Sequence, residues 1–306
     1  MTMATFYGKS VRDLWYGTSG NDVARGAGGN DTLHGQGGAD KLYGDDGDDG
    51  LYGGAGNDEI LGGLGVDALF GGTGDDWLDG GAGNDYISGG AGNNKMFGGA
   101  GNDTLVFTHR ADYADPNATG VIDGGAGFDT LVIDVQGAVT EDRCREVTLD
   151  LNSSTGRGAL GIVGDHVEPT GLWFGNVQGI EEIRLAPGCN PVAIQVGQSM
   201  KVTAGPSADF LYGGLGDQTF LGGAGSDTFR FDFSPGSFAG HDEVLDFSLA
   251  QGDALQFRVS DPGITTTAIE ADGHTIYSAF NSGGGLLGTV EVNAVGLPPV
   301  GFFDIA

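Results

Sequence analysis

Gly53–Leu61 reads GGAGNDEIL, and the nine residues after it, Gly62–Phe70, read GGLGVDALF. The two segments share Gly at positions 1 and 4, Asp at position 6 and an aliphatic residue at position 8. Working outward at the same period, the chain divides without a gap from Gly17 to Val106 into ten consecutive nonapeptides. Position 1 is always glycine: Gly17, Gly26, Gly35, Gly44, Gly53, Gly62, Gly71, Gly80, Gly89 and Gly98. So is position 4: Gly20, Gly29, Gly38, Gly47, Gly56, Gly65, Gly74, Gly83, Gly92 and Gly101. Position 6 is Asp22, Asp31, Asp40, Asp49, Asp58, Asp67, Asp76 and Asp85, then Asn94, then Asp103. Position 8 is apolar throughout, from Ala24 and Leu33 to Met96 and Leu105.

A fixed short period is the mark of a solenoid, in which each repeat buries its apolar face only by stacking on its neighbours. Two glycines at fixed places let the backbone take positive φ and turn tightly. The three residues after the aspartate then form a short strand, with the position-8 side chain on one face. One inward apolar side chain per nine residues suits a thin, coiled sheet and is too little for an ordinary globular core.

Composition narrows the function. Among 306 residues there are 62 glycines, 42 acidic and 13 basic side chains, a net charge of −29. Nucleic acid and anionic membranes would repel such a chain, whereas cations would be drawn to it. No apolar run approaches the roughly 18 residues of a transmembrane helix, and the Gly spacing is not that of collagen. Met1–Tyr16 lacks the basic start and apolar stretch of a cleaved signal peptide. It reads as an N-terminal cap over the first coil, carrying Phe6, Tyr7, Trp15 and Tyr16.

The array resembles the repeats-in-toxin (RTX) nonapeptide GGxGxDxUx of secreted bacterial proteins, also known as the hemolysin-type calcium-binding repeat. The resemblance implies an all-β fold: a right-handed parallel β-roll, or β-solenoid, with a β-rich insert and a C-terminal β cap. Two nonapeptides make one 18-residue coil, and Ca²⁺ sits between turns stacked 18 residues apart. One edge would then present Asp22, Asp40, Asp58, Asp76 and Asn94, the other Asp31, Asp49, Asp67, Asp85 and Asp103. Four gaps per edge imply about eight Ca²⁺ ions, held by carboxylates and by carbonyls of the position-1 and position-4 glycines. Ca²⁺ takes six to eight oxygen ligands in flexible geometry, and the absence of His and Cys from these positions disfavours soft metals. The Asp76–Asn94 gap is expected to be the weaker one.

Beyond the ten-repeat roll of residues 17–106, an irregular β-rich insert spans 107–203, with one isolated repeat, GGAGFDTLV (124–132), bringing Asp129. A second short roll, 204–230, reads AGPSADFLY, GGLGDQTFL and GGAGSDTFR. Asp209 and Asp227 lie 18 apart there and are expected to share an ion, adding one or two to the total, while Gln218 breaks the other edge. Residues 231–306 form the C-terminal cap. HDEVLDFSLAQGDALQF (His241–Phe257) resembles the family's closing motif, hairpin-like runs surround Asp272–Gly273 and GTVEVNAV, and the tail VGFFDIA is similar to an uncleaved type I secretion signal.

Enzyme signatures are missing: there is no HExxH, no GxSxG and no Walker lysine. DDGDDG (Asp45–Gly50) resembles an EF-hand loop, but Gly47 stands where a ligand is needed and no Glu follows at the twelfth position. His34, His109, His166, His241 and His274 show no ligand spacing and read as core or surface residues. Glu141, Asp142, Glu146, Asp150, Glu181 and Glu182 read as a solvated face rather than a carbohydrate-active set. Cys144 and Cys189 either pair as a disulfide, as secreted proteins allow, or stand as buried free thiols. Outward residues Tyr43, Leu61, Trp77 and Phe97 on one sheet, and Tyr52, Phe70 and Tyr86 on the other, read as cross-strand ladders in preference to a binding platform.

The expected function is that of a secreted, non-enzymatic calcium-binding protein with a structural or accessory role, without a cleaved leader, and either released or held at the cell surface. It would pass the type I secretion apparatus unfolded and fold on Ca²⁺ outside. A membrane-active or signalling exoprotein and a carbohydrate-binding or carbohydrate-active accessory protein are the alternatives.

Overall fold

The nine-residue period becomes one strand and one turn. In the computed structural model, residues 3–110, 120–136, 146–152, 157–163, 172–185, 193–196, 199–206, 208–213, 216–233, 240–259, 263–294, 297 and 303–304 are described, and every regular element among them is a β-strand. The first fourteen are β1 (Thr5–Tyr7), β2 (Leu14–Tyr16), β3 (Val23–Gly28), β4 (Thr32–Gly37), β5 (Lys41–Asp46), β6 (Gly50–Ala55) and β7 (Glu59–Leu64), then β8 (Ala68–Thr73), β9 (Trp77–Ala82), β10 (Tyr86–Ala91), β11 (Lys95–Ala100), β12 (Thr104–Arg110), β13 (Val121–Ala126) and β14 (Thr130–Gln136). The chain forms two compact units, Met1–Ala138 with Leu172–Glu182, and Val139–Gly171 with Ile183–Ala306.

In the first unit, odd strands from β1 to β13 line up in one sheet and even strands from β2 to β14 in the other. All of these pairs are parallel, and within the ten repeats the register is 18 residues: Ile60 faces Leu42 on one side and Leu78 on the other. The all-β parallel roll is thus present. Ala24, Leu33, Leu42, Leu51, Ile60, Leu69, Leu78, Ile87 and Leu105 are completely buried and Met96 nearly so, forming a narrow aliphatic file.

Two local features differ from the sequence reading. The strands are six residues long, not three, because they continue from positions 7–9 through positions 1–3 of the next repeat. Positive φ falls on positions 2 and 4, not 1 and 4. At position 4 it runs from Gly29 (φ 107°) to Gly101 (φ 138°); at position 2 it is found at Gly54 (φ 109°) and even at Ala27 (φ 77°), Gln36 (φ 75°) and Asp45 (φ 74°). Position 1 is glycine for a different reason, close approach. A Cβ on Gly44 would collide with Asp49 Oδ2 and would stand 2.5 Å from the Gly62 carbonyl oxygen.

The roll also extends beyond its regular repeats. β1 pairs with β3 through Phe6↔Ala24, and β2 with β4 through Trp15↔Leu33. Phe6 and Trp15 therefore occupy the position-8 places of a preceding coil, their rings stacked at 5.8 Å. At the other end β13 continues from β11 and β14 from β12, so Gly124–Val132 stacks directly on the array.

In the second unit, Glu146–Asn152 and Arg157–Val163 form an antiparallel hairpin instead of further coils. Ala193–Val196, Phe210–Gly213, Thr228–Phe233 and Ala254–Val259 pair in parallel, as do Met200–Thr203, Gln218–Leu221, Gly240–Val244 and Leu286–Val292. Thr265–Ala271 and His274–Phe280 form the expected hairpin, turning at Asp272 (φ 53°) and Gly273 (φ 89°), and Leu286–Val292 completes an antiparallel meander. This core is aromatic: Phe220, Phe229, Phe231 and Phe233 are fully buried, with Phe257 against Phe231 and Phe233 and Tyr277 against Phe257. Cys144, Cys189 and His166 lie outside the described residues, as do Glu141 and Asp142.

Candidate metal centre

Stacking at 18 residues places every position-6 side chain above its equivalent in the next coil. The ten aspartates of the array and its extension, from Asp22 to Asp103 and on to Asp129, are at most 3% exposed, and Asn94 is 9% exposed. Each carboxylate uses its Oδ1 to accept the backbone N–H of the position-6 residue one coil earlier. The bonds run Asp22 N–H to Asp40 Oδ1 (2.7 Å), Asp40 to Asp58 (2.8 Å), Asp58 to Asp76 (2.9 Å) and Asp76 to Asn94 (2.9 Å). On the other edge they run Asp31 to Asp49 (2.6 Å), then Asp49 to Asp67, Asp67 to Asp85 and Asp85 to Asp103, all at 2.8 Å.

The second oxygen is left over. Among the described residues no hydrogen-bond donor reaches the buried Oδ2 of Asp31, Asp40, Asp49, Asp58, Asp67, Asp76, Asp85, Asp103, Asp129 or Asp227. An unpaired buried polar atom is costly, and a charged one more so. Each such oxygen lies beside the position-1 glycine of its own repeat, as Asp67 Oδ2 lies beside Gly62. The carbonyl of the position-1 glycine one coil on, here Gly80, faces the same space at 2.5 Å from a Cβ built on Gly62. An orphaned carboxylate oxygen, a neighbouring carbonyl and a cradle that a Cβ would fill make an all-oxygen environment suited to a hard divalent cation.

Electrostatics agree. Burial first, then the charges of Asp40 and Asp76, pushes the Asp58 carboxyl up to about 7, and Asp67 is likewise pushed to about 7. Asp49, Asp76 and Asp129 rise to about 6, with burial again the largest cause. Asp31, Asp40, Asp85 and Asp103 are raised by burial as well. The rows hold anions in places that disfavour anions, and a cation between coils relieves both burial and repulsion.

Row ends are finished differently. Thr18 N–H donates to Asp22 Oδ2, Lys9 N–H to Asp13 Oδ2 (2.7 Å) and Gly205 N–H to Asp209 Oδ2 (3.3 Å). At Asp22 burial is the largest influence and raises the pKa, but bonds from Ala4 and Thr18 outweigh it and hold the group below its ordinary value. Asn94 meets its own need, its Nδ2 donating to the Gly90 carbonyl at 3.3 Å.

Several row members have no counterpart in the sequence reading. Asp13 N–H donates to Asp31 Oδ1 (2.7 Å), so Gly8–Tyr16 is a degenerate repeat. Counting back nine from Gly17, Asp22 and Ala24 lands on Gly8, Asp13 and Trp15, a signal present in the sequence. Asp129 joins the Asp103 edge across 26 residues (2.8 Å), and Glu181 Oε2 accepts the N–H of Asp129 (2.8 Å). Glu182, read from sequence as part of a solvated face, is instead buried beside Thr130, whose hydroxyl donates to it at 3.5 Å. In the second unit Asp209 N–H donates to Asp227 Oδ1 (2.9 Å) and Asp227 N–H to Asp253 Oδ1 (3.0 Å). Gln218 N–H donates to Asp242 Oδ1 (2.9 Å), so that edge continues into the closing motif, where burial pushes Asp242 to about 8.

Position 5 carries a second ladder, also unread in the sequence. Asn21, Asn57, Asp75 and Asn84 each accept, through Oδ1, the N–H of the position-5 residue one coil later, at 2.8–3.0 Å. The outward aromatics stack as cross-strand ladders: Tyr16, His34, Tyr52 and Phe70 lie 4.5–4.9 Å apart and Phe70 meets Tyr86 at 5.7 Å. On the other sheet Trp77 lies 5.1 Å from Phe97, and Arg25 covers Tyr43.

The chain is matched by the model of the RTX calcium-binding nonapeptide repeat in four copies, over residues 16–51, 38–69, 70–105 and 201–229. Among solved structures it is similar to the extracellular lipase LipA from Serratia marcescens, with 14% identity and a TM-score of 0.28, covering 96% of this chain and 40% of that one. The chain thus spans well under half the length of that lipase, and so remote a likeness carries nothing about activity. No curated protein matches. Among the described residues no helix is long and apolar enough to cross a membrane. The repeats that build the roll and bury its aspartates, and those that recur at residues 201–229, match the RTX calcium-binding nonapeptide repeat.

Proposed function

We propose that this protein leaves the cell unfolded through a type I secretion apparatus and folds outside on Ca²⁺, serving there as a structural or accessory protein. The ten buried Oδ2 atoms without a donor carry this reading. Bound Ca²⁺ supplies the positive charge and multiple oxygen coordination that the rows lack. The position-6 aspartates would hold it with the position-1 glycine carbonyls beside them. Five side chains from Asp22 to Asn94 enclose four gaps; seven aspartates from Asp13 to Asp129 enclose six. We assign the ions to these gaps and to Asp209–Asp227–Asp253 in the second unit.

The rows also account for direction. Where Ca²⁺ is scarce, like charges repel along both edges and the roll stays extended, since binding free energy here is folding free energy. Where Ca²⁺ is abundant, the coil locks and cannot slip back through a narrow channel.

Far-UV circular dichroism of the chelated full chain during a Ca²⁺ titration, with Mg²⁺ as control, tests this. A cooperative coil-to-β transition is expected at roughly 0.1–1 mM Ca²⁺, with little response to Mg²⁺, which demands tighter octahedral geometry and gives up its water reluctantly. A spectrum already β-rich in chelator and unmoved by Ca²⁺ overturns it.

A further inference from the structure

The second unit brings together two histidines that show no spacing in the sequence. Gly240–Val244 and Leu286–Val292 pair in parallel with His241 opposite Thr289 and Glu243 opposite Glu291. Asp242, Val244, Val290 and Val292 are buried, so the alternating residues His241, Glu243, Thr289 and Glu291 share the outer face. The neighbouring strand, His274–Phe280, adds His274 at its start.

His241 Nε2 lies 3.5 Å from Glu291 Oε2 and 3.8 Å from Glu243 Oε1, and one ligand atom from each of the three side chains falls within 4.8 Å of the others. These separations exceed those of a charge-assisted hydrogen bond, about 2.7–2.9 Å. They are close to the edge of a coordination tetrahedron, since two metal–ligand bonds of about 2.0–2.1 Å span about 3.4 Å. The other ring nitrogen is engaged: His241 Nδ1 lies 2.6 Å from Thr289 Oγ1. With Nδ1–H donated there, the Nε2 lone pair faces two carboxylates, an arrangement that calls for a cation between them. Glu291 is itself oriented, its other oxygen 2.9 Å from His274 Nδ1. A ligating histidine whose second nitrogen is tied down and a ligating carboxylate held by a neighbour are the outer supports that metal sites need.

We propose that His241, Glu243 and Glu291 form a transition-metal site, for a zinc-class divalent ion, on the outer face of the C-terminal sheet, with Thr289 and His274 as positioning residues. One imidazole nitrogen and two carboxylate oxygens suit Zn²⁺, whereas Ca²⁺ seeks six to eight oxygens. The site is therefore chemically distinct from the aspartate rows and independent of how they act. Three protein ligands on an open face leave a fourth position for water.

The test is isothermal titration of the full chain with Zn²⁺ alone, in excess Ca²⁺ so that the rows are saturated, with Co²⁺ as spectroscopic substitute. One Zn²⁺ per chain is expected, undisplaced by Ca²⁺, together with the strong visible bands of four- or five-coordinate Co²⁺. His241→Ala and Glu291→Gln each weaken Zn²⁺ binding at least tenfold, and Thr289→Val weakens it roughly tenfold by releasing the ring. In the unmodified protein, mass-mapped carbethoxylation gives a second reading that needs no variant: Zn²⁺ protects His241. Absence of Zn²⁺ binding in excess Ca²⁺, binding unchanged by His241→Ala, or an unprotected His241 overturns the proposal and leaves these residues as ion pairs only.

Discussion

The roll and the C-terminal meander are both β-structure, yet they bury opposite kinds of atom. Between its sheets the roll buries one aliphatic side chain per nine residues, while its edges bury rows of carboxylates that carry an orphaned oxygen everywhere but at the row ends. The second unit packs Phe231, Phe233, Phe257 and Tyr277 ring on ring, with centroids 5.1–6.0 Å apart. A buried aromatic contributes several kcal/mol by itself; a buried anion contributes only when something neutralises it. One region is held by what it contains, the other by what it takes up.

Removing the metal should separate them most. In chelator, amide hydrogens of residues 23–106 are expected to exchange as in an unfolded chain, while those of 274–292 stay protected. Hydrogen exchange read by mass spectrometry checks this, and equal protection in both regions would erase the distinction.

Acid should partly restore the metal-free roll. The row carboxyls have folded-state pKa values raised to about 6 at Asp49 and Asp76 and about 7 at Asp58 and Asp67, from 3.8. Groups raised on folding bind more protons in the native state, so their contribution is full below pH 3.8 and is lost as pH rises through 6–7. In chelator the β signal is therefore expected to be larger at pH 4 than at pH 8, with the change centred near pH 6–7. Ca²⁺ affinity should move the other way, rising with pH as protons cease to compete. A pH-independent spectrum in chelator would mean that the aspartates do not limit the fold.

Core truncation sharpens the contrast at smaller scale. Leu69→Ala removes a fully buried link of the aliphatic file and is expected to cost about 2–5 kcal/mol; Phe257→Ala should cost about 3–5 kcal/mol. Raising Ca²⁺ should recover the first loss, because ligand binding adds stability only where binding is coupled to folding. It should leave the second largely in place. Urea midpoints at two Ca²⁺ concentrations decide the matter, and equal recovery in both variants would show that the aromatic core also depends on the ion.

Position 6 and position 8 were open to reading because each sits at a fixed place in a strict period, and a period of nine with parallel 18-residue register leaves one way to stack them. The rows failed to be followed where the period breaks. Asp103 and Asp129 are 26 apart and Gln218 and Asp242 are 24 apart, so loops between stacked turns hide the continuity from any count by eighteen. Position 2 was missed for a different reason. Its positive φ is borne by Ala27, Gln36 and Asp45 as well as by glycine, so residue type did not announce the conformation. His241 meets Glu291 across a parallel strand pair and His274 joins them through the antiparallel meander, pairings that bring together residues at separations that carry no motif.

Asn94 offers the finest cut. It is the one position-6 residue of the ten that carries no charge, and its Nδ2 reaches the Gly90 carbonyl, so its place is satisfied without a cation. Asn94→Asp exchanges that donor for a second oxygen of the kind orphaned at Asp76. At Ca²⁺ just sufficient to fold the parent roll, the variant should be slightly less stable than the parent, by about 1–3 kcal/mol for a buried unsatisfied group. In Ca²⁺ it should bind one ion more tightly, in the gap between Asp76 and the new carboxylate, and end at or above the parent's stability. Calorimetric stoichiometry and urea midpoints at limiting and saturating Ca²⁺ read both halves. Were the substitution neutral at limiting Ca²⁺, the single orphaned oxygen would not be what makes the roll depend on metal, and the dependence would lie in the summed repulsion along the rows.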